Sequence, residues 1–346
     1  MLLGKPASPR TRVVAMLPGL ALCVIIGAAA TGVGLLVPVV GSPLPALLIG
    51  VVIAVVRRPA PRFDPGIAVA AKVVLQCAVV VLGARLSLAE IAAVGRDALP
   101  VTLTTLAACL VSAFVVGRLL GVEGDLRTLI GVGTGVCGAS AIAAVAPVIG
   151  AASSGIAYAV TTIFAFNVAA VVVFPFVGHL IGLDQHAFGV FAGTAVNDTS
   201  SVVAVASIYG ASALAVAVVV KLVRTLTIIP ISIGLAVVTA RRAHPVTESG
   251  RAVGNLSVGR IVRLVPWFLV GFLGMSGLRS VGVISAPAAD GFGTASIVLI
   301  AVAMAAIGLS TDVAALRRAG LRPLLLGGIL WVVVSSTALA TIAVTG

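Results

Sequence analysis

The sequence predicts an all-α polytopic membrane protein, and three observations support this fold class. Of its 346 residues, 60% are hydrophobic and only 9% are charged, whereas a soluble domain carries roughly a quarter charged residues. Apolar runs of about 20 residues follow one another along the chain, which is the length that a helix needs to span a bilayer. They lack the apolar–polar alternation of membrane barrel strands. Basic residues fall mainly between these runs, as in helical membrane proteins.

The apolar runs define about eleven transmembrane helices. The first run is longer than the core of a signal peptide, and we interpret it as an uncleaved first span. The predicted segments are 14–36, 43–56, 67–84, 98–117, 128–149, 155–181, 187–208, 211–239, 261–278, 293–309 and 323–344.

The distribution of basic residues predicts the orientation of the chain. With the amino terminus in the cytoplasm, sixteen basic residues lie on the cytoplasmic side: Lys5, Arg10, Arg12, Arg57, Arg58, Arg62, Arg118, Arg127, Arg241, Arg242, Arg251, Arg260, Arg263, Arg317, Arg318 and Arg322. Only Arg85, Arg96 and Arg279 lie outside. The positive-inside rule therefore predicts an amino terminus inside and a carboxyl terminus outside a bacterial cytoplasmic membrane.

The sequence predicts one integral membrane domain with two bundles of helices. Residues 1–240 form an amino-terminal bundle that holds the first eight segments and both broken helices described below. The long hydrophilic stretch 241–260 is a predicted cytoplasmic linker. Residues 261–346 form a carboxyl-terminal bundle of three segments.

Two internal similarities predict an inverted-repeat, secondary-transporter-like fold with two broken helices. Residues 133–151 match residues 193–211 at an offset of 60, and both stretches place glycines and hydroxyl side chains inside apolar segments. Discontinuous helices of this kind form binding sites at mid-membrane in transporters. Residues 83–99 also match residues 308–324 at an offset of 225, and the two stretches leave the membrane on opposite sides. The first pair fits an inverted repeat less simply, because the fifth and seventh segments have the same predicted orientation.

Asp198 is the one carboxylate of the ten that lies deep inside an apolar segment. Charges at this depth are costly and usually face a cavity or a partner, so an ion-coupling role is one hypothesis. A second is a local cap, in which Asn197 and Asp198 accept hydrogen bonds from a half-helix that restarts near Ser200. Lys221 and Arg224 share a face of the eighth segment. They leave a surplus of positive charge that an anionic substrate would balance, unless Arg224 pairs with Asp198.

Other kinds of chemistry are disfavoured by the sequence. The stretch from Gly131 to Gly138 contains a G-x-G-x-x-G pattern, but the acidic residue of a dinucleotide site is missing and the flanks are membrane spans. The four cysteines and three histidines lack metal-ligand spacing. No nucleophile–base pair is apparent. We therefore expect no cofactor, no metal and no enzymatic activity, and the scattered basic residues indicate no nucleic-acid partner.

The predicted binding site combines the two broken segments and the buried basic residues. Its substrate-binding residues are Thr134, Gly135, Cys137, Gly138, Ser140, Thr194, Asn197, Thr199, Ser200, Ser201, Lys221 and Arg224, with Asp198 as the ion-coupling residue. The predicted partners are a small anion and the lipid bilayer. The sequence is also compatible with a homo-oligomer. The leading hypothesis is export of the anion by alternating access, with one bundle rocking against the other. The alternatives are a cation antiporter that binds Na⁺ or H⁺ at Asp198, and a channel or non-transporting membrane sensor.

Several sequence blocks resemble one known family. Residues 137–142, 146–149, 197–204, 221–224 and 308–312 are similar to blocks of the YeiH-like family of bacterial inner-membrane proteins, which are described as sulfate exporters. The similarity extends from about Val74 to the carboxyl terminus. It implies a secondary transporter built from inverted repeats, with sulfate or a related sulfur oxyanion as the substrate.

Overall fold

The structure is a computed structural model that describes residues 9–36, 42–228, 230–235, 267–310 and 321–345. In these ranges the chain is helical, and the all-α polytopic fold is confirmed. The helices are α1 (Pro9–Leu36), α2 (Pro43–Val56), α3 (Asp64–Val69), α4 (Leu75–Leu82), α5 (Leu88–Leu119), α6 (Gly124–Gly135), α7 (Ala139–Ile149), α8 (Ser153–Leu180), α9 (Gln185–Ala195), α10 (Thr199–Tyr209), α11 (Ala211–Leu226), α12 (Trp267–Ser280), α13 (Ala286–Leu309) and α14 (Leu321–Thr345). Short 3₁₀ and π segments join α3 and α4 to their neighbours, so that Pro61–Arg85 forms one membrane segment.

Seven helical segments in these ranges are long and apolar enough to cross a membrane. They are Val14–Leu36, Pro61–Arg85, Leu88–Leu119, Ser153–Leu180, Ala211–Leu235, Ala286–Leu309 and Leu321–Thr345. Shorter apolar helices are α2, α7 and α10. Each of the eleven predicted segments overlaps a helix or a pair of helices. The predicted linker 241–260 lies outside the described residues, as do 311–320 of the second internal similarity.

The chain contacts define two compact units that divide the sequence differently from the predicted bundles at 1–240 and 261–346. The first unit comprises the chain up to Arg85 together with Gly274–Val313, and the second comprises Leu86–Leu273 and the chain from Ala314 onward. Each unit is therefore assembled from two separate stretches. Both broken helices lie in the second unit.

The first unit is held together by close helix crossings at glycine. A Cβ atom on Gly66 would lie 2.1 Å from the carbonyl oxygen of Met16 on α1, and one on Gly308 would lie 2.4 Å from that of Leu47 on α2. Only glycine allows backbones to approach this closely, a common device where helices pack in lipid. Arg85 and Asp290 add an ion pair with a nitrogen–oxygen distance of 3.7 Å.

In the second unit, α9 and α10 form a hairpin that begins and ends on the same side. The rings of Phe188, near the start of α9, and Tyr209, at the end of α10, stack with centroids 3.6 Å apart. In a straight segment these residues would be separated by about 30 Å. The hydroxyl of Tyr209 also donates a hydrogen bond to the carbonyl oxygen of Leu183. We name α9, residues 196–198 and α10 hairpin 2.

The earlier broken segment, α6 and α7, is also a hairpin. A Cβ atom on Gly133 would lie 3.1 Å from the side chain of Ile142, although nine residues of continuous helix span about 13 Å. Ile149, at the end of α7, lines one groove together with Gly124 and Asp125 at the start of α6. We name α6, residues 136–138 and α7 hairpin 1.

The two hairpins open toward opposite ends of α11. At the start of α11, the backbone N–H of Ser212 donates to Gln185 Oε1, at the open end of hairpin 2, over 3.0 Å. At the other end of this segment, Ile231 and Leu235 line the groove at the open end of hairpin 1. Each hairpin is followed by one long helix, α8 or α11, which matches the 60-residue repeat. The repeat is thus an inverted pair of hairpin-plus-helix units.

This geometry resolves the difficulty with the first internal similarity. Segments 128–149 and 187–208 were expected to run through the membrane in the same direction, but each turns back at its centre and the pair is inverted. We compared the predicted topology, in which both segments cross the membrane, with one in which both are hairpins. Only the loops 150–152 and 181–184 lie on different sides of the membrane in the two topologies. Neither loop contains lysine or arginine, so the predicted distribution of sixteen basic residues against three is unchanged.

Candidate functional site

The helices of each hairpin are separated by three residues, which form the tips of the hairpins. In hairpin 1 helix α6 ends at Gly135, and Gly138 has a positive φ of 66° with ψ of −131°, a conformation that is essentially restricted to glycine. In hairpin 2 the tip residues Val196 and Asp198 are both extended. Tip 1 is therefore residues 136–138, and tip 2 is residues 196–198.

Glycines allow the two hairpins to pack closely against their neighbours, so that the tips meet. A Cβ atom on Gly133 would lie 2.1 Å from the side chain of Ile163 on α8, and one on Gly193 would lie 2.7 Å from Val220 on α11. A Cβ atom on Gly138 would lie 3.6 Å from the backbone of Asn197 and Asp198. The tips are thus in van der Waals contact at the middle of the second unit.

Lys221 joins the two tips. Its Nζ donates one hydrogen bond to the carbonyl oxygen of Val136 at 3.0 Å and another to that of Val196 at 2.9 Å. These two valines are equivalent in the 60-residue repeat, and each follows the last residue of a half-helix. The side chain is completely buried, at 0% exposure. A hydrogen-bond donor in this position satisfies carbonyls that a helix end leaves without partners, and when protonated it also balances their partial negative charge.

Arg224 serves the end of α6 in the same way. Its Nε donates to the carbonyl oxygen of Gly135 at 2.8 Å, and one terminal nitrogen donates to that of Thr134 at 2.7 Å. The side chain is 0% exposed, and its other terminal nitrogen has no hydrogen-bond partner among the residues that the structure describes. The expected alternative, an Arg224–Asp198 ion pair, is not formed within the described ranges.

Asp198 caps the start of α10, as the local-cap hypothesis predicted. Its Oδ2 accepts hydrogen bonds from the backbone N–H of Ser200 at 2.9 Å and of Ser201 at 3.3 Å. The equivalent position in hairpin 1 is Gly138, and no side chain caps α7 there. The two half-helices thus begin differently, because one carries its own carboxylate and the other does not.

The remaining predicted site residues lie at the tips or within three residues of them, and they differ in exposure. Ser140, in the first turn of α7, is exposed, while Thr199, Ser200 and Ser201 in α10 are half-buried. Cys137 is buried, and Thr194 is buried with its hydroxyl donating to the carbonyl oxygen of Val190 at 2.6 Å. The structure therefore brings all thirteen predicted residues together, with the hydroxyls of the two half-helix starts forming the accessible part.

The charges around the tips sum to a positive value. With both basic side chains protonated, Lys221, Arg224 and Asp198 give two positive charges and one negative charge, a total of +1. Each helix end adds roughly half a charge, and the two ends and two starts at the tips cancel. In this protonation state the side chains at the tips therefore carry a net positive charge.

Three polar residues that support the hairpins were missed by the sequence analysis. Asn167 on α8 accepts a hydrogen bond from the backbone N–H of Asn197 at 3.1 Å, and an amide in the middle of an apolar segment was a signal for such a role. Gln185 and Tyr209 close hairpin 2 at its open end. They lie at the ends of predicted segments, where polar residues are ordinary, so their role had no signal in the sequence.

The site lies within a stretch that comparison with other proteins assigns to a family. The profile of the family described as conserved hypothetical protein 698 matches residues 18–327. The chain belongs to this family. The resemblance to YeiH-like membrane proteins is thereby confirmed.

Relatives of this family cover almost the whole chain. A UPF0324 membrane protein of Streptococcus pyogenes is 40% identical over 329 residues, which are 94% of this chain and 96% of the relative. Those of Streptococcus agalactiae and Fusobacterium nucleatum are each 39% identical, covering 95% and 92% of this chain and 98% and 94% of the relatives. Their names state that they are membrane proteins and mention no substrate. Membership of this family is therefore consistent with the multi-pass membrane fold.

Proposed function

We propose that the protein is a secondary transporter that carries a small anion across the bacterial cytoplasmic membrane by alternating access. Sulfate or a related sulfur oxyanion is the first candidate substrate, with export as the direction. In this proposal the amino terminus lies in the cytoplasm and the carboxyl terminus outside, as the distribution of basic residues predicts. Hairpins that open toward opposite ends of α11 and meet at their tips would give one central site access from either side in turn, as alternating access requires.

The observation that carries this proposal is the difference between the two half-helix starts at the tips. Asp198 caps α10 with a carboxylate, whereas the N-cap residue of α7 is Gly138, which has no side chain to donate or accept, and α7 begins beside the exposed Ser140. A helix start offers backbone N–H groups and a partial positive charge to an anion. The substrate oxyanion would occupy at α7 the place that the Asp198 carboxylate occupies at α10.

The basic residues contribute to this site in a different way from the one that the sequence suggested. Lys221 and Arg224 bind backbone carbonyls at the ends of α6 and α9. They would hold the tips in place and supply positive potential, while the hydroxyls of Ser140, Ser200 and Ser201 contact the anion. Direct contact between the anion and either cation is not required.

The cation-antiporter alternative is less well supported by this geometry. The Asp198 carboxylate already accepts two backbone hydrogen bonds as a helix cap, and two buried cations lie on the neighbouring α11. Na⁺ at this position would meet repulsion from Arg224, and from Lys221 whenever Lys221 is protonated. A channel or a non-transporting sensor has no specific feature of the site in its favour.

Replacing Ser140 with aspartate tests the proposed site. The new carboxylate would lie in the first turn of α7, where it favours the helix, and it would compete with the substrate for the same N–H groups. We expect counterflow of labelled sulfate in proteoliposomes to fall at least tenfold, with thermal stability unchanged or raised. The matched control is Ser140→Asn, which has nearly the same shape without the charge and should keep most of the flux.

Two outcomes would contradict the proposal. One is the absence of saturable sulfate counterflow in the wild-type protein, which would show that the protein does not transport sulfate. The other is equal flux in Ser140→Asp and Ser140→Asn, which would show that the anion does not bind at the start of α7.

A further inference from the structure

The hydrogen bonds of Lys221 match a neutral amine better than an ammonium ion. An ammonium group has three N–H donors and no acceptor, whereas a neutral amine has two. Nζ of Lys221 makes two hydrogen bonds, to the carbonyl oxygens of Val136 and Val196. Within the described ranges it has no third acceptor and no carboxylate oxygen within 4.0 Å. A fully buried ammonium without a counter-ion is costly.

No carboxylate pairs directly with Lys221 among the residues that the structure describes. On its own helix the neighbouring charge is Arg224, which has the same sign and stays protonated. From tip 1 the titratable group is Cys137, and from tip 2 it is Asp198, which is engaged as a helix cap. On α5, Cys109 interacts with Arg224 and not with Lys221; it is buried and donates a hydrogen bond to the carbonyl oxygen of Gly131 over 3.5 Å.

We propose that Lys221 is the proton carrier of the transport cycle, neutral in the empty site and protonated when the anion is bound. The inference rests on the proposed function and names its coupling ion and coupling residue. One proton then enters Lys221 with each anion and leaves when the anion is released. The proton and the anion move in the same direction.

Charge balance at the tips supports this cycle. With Lys221 neutral, the charges of Arg224 and Asp198 cancel, so the empty site is neutral. Protonation gives a charge of +1, which offsets one of the two negative charges of a sulfate dianion. With sulfate bound the net charge is therefore −1 instead of the −2 that an unprotonated Lys221 would leave, which lowers the cost of holding the dianion in a low-dielectric region. Asp198 takes no part in the proton transfer, because it serves as the cap of α10 in both states.

Proton uptake on binding can be counted in the wild-type protein. Sodium sulfate is titrated into the solubilised full-length protein by calorimetry, in buffers of different ionisation enthalpy between about pH 6 and 10. We expect one proton to be taken up per sulfate at the alkaline end. Linkage then requires sulfate affinity to fall about tenfold per pH unit in that range. Uptake of zero protons at every pH would overturn the inference without any variant.

Two variants test which side chain takes up the proton. Lys221→Met should abolish the proton uptake, whereas Asp198→Asn should leave it at one per sulfate. Uptake that is retained in Lys221→Met or lost in Asp198→Asn would overturn the assignment. Sulfate counterflow without proton uptake would reject the inference alone, and the absence of both sulfate binding and counterflow would reject the proposed function together with it.

Discussion

Replacing Lys221 with methionine is expected to cause the largest loss of both stability and transport. Methionine fills a similar volume but cannot donate to the carbonyls of Val136 and Val196. Each buried acceptor left without a partner costs about 1–3 kcal/mol, and removal of the buried basic group offsets part of this. We expect the free energy of unfolding to fall by about 2–4 kcal/mol, and sulfate counterflow in proteoliposomes to be lost.

Lys72→Met provides the matched control for this variant. Lys72 is exposed on the membrane segment Pro61–Arg85, so its replacement should leave both thermal unfolding and counterflow near wild type. If Lys221→Met unfolded at the wild-type temperature, the two carbonyls would not depend on Lys221 and the proposed joining of the tips would be wrong.

Arg224→Lys is expected to have the second largest effect, although it keeps the charge. The guanidinium group donates from two nitrogens at once to the carbonyl oxygens of Gly135 and Thr134. A shorter, point-like ammonium cannot reproduce this planar fork. We expect a loss of about 1–3 kcal/mol in unfolding free energy and at least a tenfold slower sulfate counterflow, measured on the same preparations.

The comparison for Arg224→Lys is the same exchange at an exposed position. Arg96 lies on the exposed surface of α5, and Arg96→Lys should be neutral in both measurements. Equal behaviour of the two variants would mean that charge alone matters at position 224, and the hydrogen bonds to the end of α6 would then have no special role.

The sequence was sufficient to predict where the two helices break and which residues meet there. Glycines and hydroxyl side chains inside apolar runs mark weak points for a helix at any level of tertiary structure. The match between residues 133–151 and 193–211 marked both points as equivalent. Lys221 and Arg224 were also predicted at the site, because buried basic residues are rare in membrane helices.

The direction of the chain after each break could not be predicted. An apolar run of about 22 residues has the same composition whether it crosses the bilayer or turns back at its centre. The contact between Phe188 and Tyr209 decides this point, and it is a tertiary contact that leaves no periodic signal. For the same reason the use of Lys221 to bind carbonyls, instead of an anion, depends on the position of the tips and not on residue type.

The side of the membrane on which four loops lie tests the central claim most directly. Single cysteines at Glu123, Ala152, Ile181 and Ser212, in a cysteine-free background, are labelled with a membrane-impermeant maleimide in vesicles of both orientations. Opposed hairpins predict that positions 123 and 152 react from one side and that positions 181 and 212 react from the other. If positions 123 and 152 react from opposite sides, residues 124–149 cross the membrane and the account of two opposed hairpins is wrong.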